Sequence, residues 1–155
     1  MLAGSRLVTL TGVGGVGKTR LALRAADGLR RAFRDGVWLV PFDQLRDEAL
    51  GAQAVAGALG LQDRAGYAPA ASLSEFLAGR QLLLVLDNCE HLVGATAELT
   101  EQLLRAAAGL RVLATSRESL NITGETVLAV PPRIHPPCVL RVLAVGAGDG
   151  GLALR

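Results

Sequence analysis

The sequence predicts an α/β domain: a parallel sheet of about five strands with helices on both faces, followed by an irregular C-terminal tail. Three observations carry that reading. Short β-favouring runs alternate with segments of helical length, the order that a parallel sheet with right-handed crossovers requires. One run, Gln81-Leu-Leu-Leu-Val-Leu86, is continuously apolar, as expected of a strand covered on both faces. A glycine-rich loop joins the first strand to the first helix.

Arg6-Leu-Val-Thr-Leu-Thr11 is the first strand, ending at Gly12. A helix is expected from Lys18 to about Phe33, with Leu21, Ala25, Leu29 and Phe33 on one face and Asp35-Gly36 ending it. Most of its arginines, Arg20, Arg24, Arg31 and Arg34, lie off that stripe. Val37-Trp-Leu-Val40 reads as a strand with Trp38 in the core or at a sheet edge, and Asp47 to Leu59 as a helix stopped by Gly60. Residues 62–70 read as loop. Ser72-Leu-Ser-Glu75 has capping-box spacing and opens a short helix ending near Gly79. After the apolar run come a helix over Leu92–Ala108, a strand over Arg111–Thr115 and a last strand over Thr126–Val130. From Pro131 the texture changes, so the domain is placed at 1–132 and the tail at 133–155.

A chain of 155 residues, 50% hydrophobic and 19% charged, suits one compact domain and excludes wholesale disorder. Its net charge of +2 is too small for an electrostatic nucleic-acid footprint. No apolar run reaches the ~18 residues of a membrane helix, and the first residues do not read as a signal peptide. The expected setting is therefore cytoplasmic, with no direct nucleic-acid binding and no membrane partner. Cys89 and Cys138 make neither a disulfide framework nor a zinc site and are expected to be reduced thiols. Every basic residue but Lys18 is arginine, so the single lysine suggests a position that needs a compact ammonium.

Lys18 stands in Gly12-Val-Gly-Gly-Val-Gly17-Lys-Thr19, which fits the phosphate-loop pattern G-x-x-x-x-G-K-[ST]. Glycines let successive N–H groups turn inward around a phosphate, and the following helix aims its positive end at the anion. Lys18 places a point charge near the β- and γ-phosphates, and the Thr19 hydroxyl suits Mg²⁺. The expected nucleotide contacts are Gly12, Val13, Gly14, Gly15, Val16, Gly17, Lys18, Thr19 and Arg20.

Asp87 ends the apolar strand on the side of the sheet where ligands bind, placed to hold Mg²⁺ with Thr19. Asn88 follows where vigorous ATPases place a second acid, and Glu90 is the candidate substitute for positioning water. Arg117, in Thr115-Ser116-Arg117 after the next strand, is a candidate γ-phosphate sensor. The sole lysine is already used, so no guanine-reading Asn-Lys-x-Asp exists. Residues 142–151 imitate a dinucleotide fingerprint but lack the helix it needs. His91 and His135, with the two cysteines, show no metal-ligand spacing.

Together these elements resemble the nucleotide-binding (NB-ARC-like) domain of the signal-transduction ATPases with numerous domains. The closest likeness is to bacterial transcriptional regulators of the LuxR/SARP type. The resemblance rests on Arg6-Leu-Val-Thr-Leu-Thr-Gly, Gly14-Gly-Val-Gly-Lys-Thr-Arg-Leu-Ala-Leu, Leu84-Val-Leu-Asp-Asn-Cys-Glu-His-Leu and Ala114-Thr-Ser-Arg-Glu, and extends over about residues 5–132. It implies a P-loop NTPase fold of the additional-strand (ASCE) type, binding ATP or ADP with Mg²⁺. It also implies that ADP holds an inactive form which ATP releases. The roles implied are phosphate and metal binding for Lys18 and Thr19, Mg²⁺ for Asp87 and sensing for Arg117. The family's upstream adenine-contacting segment, helical lid and winged helix have no counterpart here, and Val13 replaces a common proline. The chain is thus expected to be a fragment of a longer regulator, serving as a nucleotide-dependent switch with other domains or chains as partners. The alternatives are a slow Mg²⁺-dependent ATPase using Glu90, or an inert remnant or interaction module.

Overall fold

The computed structural model describes residues 4–61 and 68–131. The expected tail at 133–155, with His135 and Cys138, lies outside the described residues, as does most of the loop read at 62–70. The elements run β1 (Leu7–Thr11), α1 (Lys18–Gly28), β2 (Val37–Pro41), α2 (Gly51–Ala58), α3 (Pro69–Leu77), β3 (Leu82–Asp87), α4 (Val93–Ala106), β4 (Leu110–Ser116) and β5 (Glu125–Ala129). Single 3₁₀ turns occupy Arg30–Ala32, Glu48–Leu50 and Cys89–His91.

All strand pairs are parallel, in the order β2-β3-β4-β1-β5. The chain leaves β1 through α1, lands on the far edge as β2, returns through β3 and β4, and places β5 on the other side of β1. β4 is thus the strand inserted between β1 and β3. The direction of winding reverses at β1, and the crevice outside the carboxyl ends of such strands is where open α/β sheets bind ligands.

Period-two alternation divides the core. Val8, Leu10, Leu83, Val85 and Leu113 turn to one face, where α1 covers them with Leu21, Ala22 and Ala25, and Leu29 just past its end joins them. Leu7, Leu82, Leu84, Leu86, Leu110 and Val112 turn to the other, under α2, α3 and α4. All six β3 residues are buried, which is why that strand reads as an unbroken apolar run. Trp38 packs against the α2–α4 face on edge strand β2, and its Nε1–H donates to the Asp35 carbonyl at 3.0 Å.

Three boundaries differ from the sequence reading by three residues or more. α1 stops at Gly28, where Leu29 N–H turns back to the Ala26 carbonyl, and Phe33 reaches the same core from an extended backbone. The apolar stripe is real, but its last member is not helical. α2 begins at Gly51, because Asp47 caps a 3₁₀ turn through Ala49 N–H (2.9 Å) instead of opening the α-helix. α3 begins at Pro69, not Ser72. Proline's fixed φ suits the first helical turn and its missing N–H costs nothing there. Ser72 consequently falls inside the helix and makes no cap.

Candidate functional site

Residues 12–17 form the loop between β1 and α1. Gly15 and Gly17 have φ of 83° and 89°, left-handed values that a side chain would resist. Gly17 also caps the start of α1, its carbonyl accepting Leu21 N–H at 2.9 Å. Val16 tucks into the apolar core on the α1 face, while Val13 is 71% exposed at the loop's tip. Gly12 is crowded by Val16 and the Val130 carbonyl, so a side chain on the loop's first residue would force these neighbours to shift.

Lys18 opens α1 and is buried at 7% exposure. Its Nζ donates to the Gly12 carbonyl at 2.8 Å and the Val13 carbonyl at 3.1 Å. A buried ammonium must be satisfied, and here the loop's own carbonyls do it. A phosphate oxygen offered at the same place would make a stronger, charge-assisted bond.

Thr19 Oγ1 donates to Asp87 Oδ1 at 2.8 Å, bridging α1 and the end of β3. The same oxygen accepts from Thr115 Oγ1 at 2.6 Å, and Thr115 Oγ1 in turn accepts Asn88 N–H at 2.9 Å. Asp87 is 7% exposed and Thr115 fully buried. A hydroxyl and a carboxylate brought together this closely are hard oxygen donors of the kind Mg²⁺ prefers. Thr19 and Asp87 therefore fit that ion. Among the described residues no cluster of three or more His, Cys, Asp or Glu could hold another metal, and His91 is exposed.

Asn88 has left-handed φ of 57°. Asn accepts that conformation more readily than a long acid does, a local reason for an amide at this position. Glu90 is half-buried beyond it. One carboxylate oxygen lies 4.0 Å from Arg117 Nε and the other is buried without a partner. Arg117 is largely exposed, and its guanidinium lies 3.3 Å from where a Cβ on Gly14 would stand. The structure thus brings Arg117 over the loop and beside Glu90.

A cleft of about 680 Å³ joins Gly14, Lys18, Thr19, Asn88 and Glu90 and continues along the outer side of α1 past Arg20. Leu23, Arg24 and Asp27 line that extension and were not singled out by the sequence. Helical spacing from Arg20 identifies them once α1 is known to form one wall. Cys89 faces away, its Sγ donating weakly to the Leu86 carbonyl at 3.4 Å. Burial, then the charges of Glu90 and Asp87, push its thiol up to about 12, so it is no nucleophile.

No protein-family model matches the chain. It is 45% identical over 131 residues to a Mycobacterium tuberculosis protein named "Putative HTH-type transcriptional regulator", covering 84% of this chain and 15% of that protein. A second protein of that organism, described as uncharacterized, is 37% identical over 132 residues, or 85% of this chain and 34% of the relative. The chain therefore spans a minor part of the length of these relatives. Among solved structures, the Aeropyrum pernix ORC2 protein in its ADPNP–ADP complexes aligns with a TM-score of 0.56 at 14% identity, covering 82% of this chain and 42% of that one. At that identity the likeness is one of fold. Among the described residues no helix is long and apolar enough to cross a membrane. Sheet order, loop and structural likeness together give this chain the P-loop NTPase fold.

Proposed function

We propose that this chain is the ATP/ADP-binding part of a nucleotide-dependent switch in a bacterial transcriptional regulator, of the NB-ARC/STAND type. The observation that carries the reading is the convergence of Lys18, Thr19, Asp87 and Arg117 on one glycine loop at the carboxyl ends of β1, β3 and β4. The 45% identical relative named as a regulator supports the setting.

The loop's main-chain N–H groups and the Lys18 ammonium would receive the phosphates, with Lys18 exchanging carbonyl partners for phosphate oxygens. Thr19 and Asp87 would hold Mg²⁺, which neutralises phosphate charge when bound. Arg117 supplies the distinction between nucleotides. A γ-phosphate offers its guanidinium a doubly bonded partner, and Glu90 is the competing anion. ADP leaves Arg117 with Glu90; ATP draws it across the loop. Differential contact of this kind is what a two-state switch requires.

The test is competitive binding of ATP and ADP to the chain and to Glu90→Gln. Removing the competing charge raises ATP affinity relative to ADP, and an unchanged ratio would refute the role given to the pair. A slow ATPase is the second reading, favoured by Glu90's half-buried place in the same cleft as Lys18 and Thr19. Single-turnover phosphate release decides it: no loss in Glu90→Gln discards hydrolysis through that carboxylate.

A further inference from the structure

We infer that Thr115 is a positioning residue of the metal corner, setting the Asp87 carboxylate so that one oxygen belongs to the protein and the other is left for a divalent cation. This rests on the nucleotide-binding reading of the loop.

A threonine hydroxyl has one proton to give and two lone pairs. Thr115 spends the proton on Asp87 Oδ1 at 2.6 Å and a lone pair on Asn88 N–H at 2.9 Å. Oδ1 also takes the Thr19 proton at 2.8 Å. Oδ2 accepts no hydrogen bond among the described residues and is not sealed from solvent. Two donors on a single oxygen fix the carboxylate's rotation and leave its second oxygen free.

The two donors are not equivalent. Thr19 is the hydroxyl that would turn to the cation, and once it does, Thr115 is the remaining side-chain hold on Oδ1. Thr115 also ties the left-handed turn at Asn88 to that carboxylate. One buried hydroxyl in the inserted strand therefore links the metal corner to the segment carrying Glu90, two residues before Arg117 on its own strand end. A valine of the same shape would fill the space and leave both Oδ1 and Asn88 N–H short of a partner.

The experiment is titration calorimetry of the 155-residue chain with ATP, once in Mg²⁺ and once in EDTA. In wild type, Mg²⁺ strengthens binding. Thr115→Val reduces that gain about tenfold or more, as expected for a bond to a charged group, while affinity in EDTA is unchanged. Thr115→Ser keeps the gain. Should the valine chain not fold, Thr115→Cys, a weak donor of similar size, carries the same comparison. A full Mg²⁺ gain in Thr115→Val overturns the inference. So does an equal fall in both buffers, which would mark a merely structural residue. Wild type that binds ATP in neither buffer overturns the phosphate-loop reading instead.

Discussion

At the amino end of the sheet the Arg6 guanidinium donates to the Leu104 carbonyl at 2.7 Å and to the Ala107 carbonyl, closing the end of α4. At the carboxyl end Arg117 is largely exposed, with Glu90 at 4.0 Å and the bare backbone of Gly14 beside it. The same side chain thus closes a helix end in one place, through one guanidinium nitrogen while its Nε is buried without a partner, and is loosely held in the other. A helix end has fixed carbonyls that need donors. A glycine loop has inward N–H groups that need an acceptor, and there a spare cation adds to the site instead of to the fold.

This contrast can be broken by experiment. Arg6→Ala should lower stability by about 2–3 kcal/mol, since two bonds from a charged donor are lost and helix carbonyls are left short. Nucleotide affinity should not change. Urea denaturation measures the first and calorimetry the second. Arg117→Ala should do the reverse, shifting stability by no more than about 0.5 kcal/mol and cutting the preference for ATP over ADP about tenfold. Equal destabilisation by the two substitutions would erase the distinction. The smallest effect concerns Cys89. With the folded thiol pushed up to about 12, raising pH from 7 to 9 leaves it protonated. A Cys138→Ser chain should therefore resist a disulfide reagent at both values until unfolded, and prompt labelling at pH 9 would contradict that burial.

Features carried by local chemistry were legible in the sequence. The glycine loop, the apolar strand ending in Asp87 and the arginine after β4 are each set by a few adjacent residues. Features that depend on strand order were not. Thr115 lies beside Asp87 because β4 pairs with β3, one step beyond the Leu86–Ala114 pair, and nothing in the linear text says which strands are neighbours. Its neighbour Arg117 was found by motif, while Thr115 passed as ordinary strand. Helix ends failed for a different reason. Phe33 continues a helical stripe on paper, but the core accepts it equally well from an extended backbone. At α3 the capping-box spacing pointed to Ser72, but the helix starts three residues earlier at Pro69, inside the stretch read as loop.

The central claim is that the residue 12–19 loop is built to hold nucleotide phosphates, with Lys18 as its point charge. Isothermal titration of Mg·ATP and of ADP into wild type and Lys18→Ala tests it most directly. The account predicts saturable heats for wild type and affinity weakened about a hundredfold or more in the variant, a loss of about 2.7 kcal/mol. Matching heats from the two proteins, or none from wild type, would contradict it.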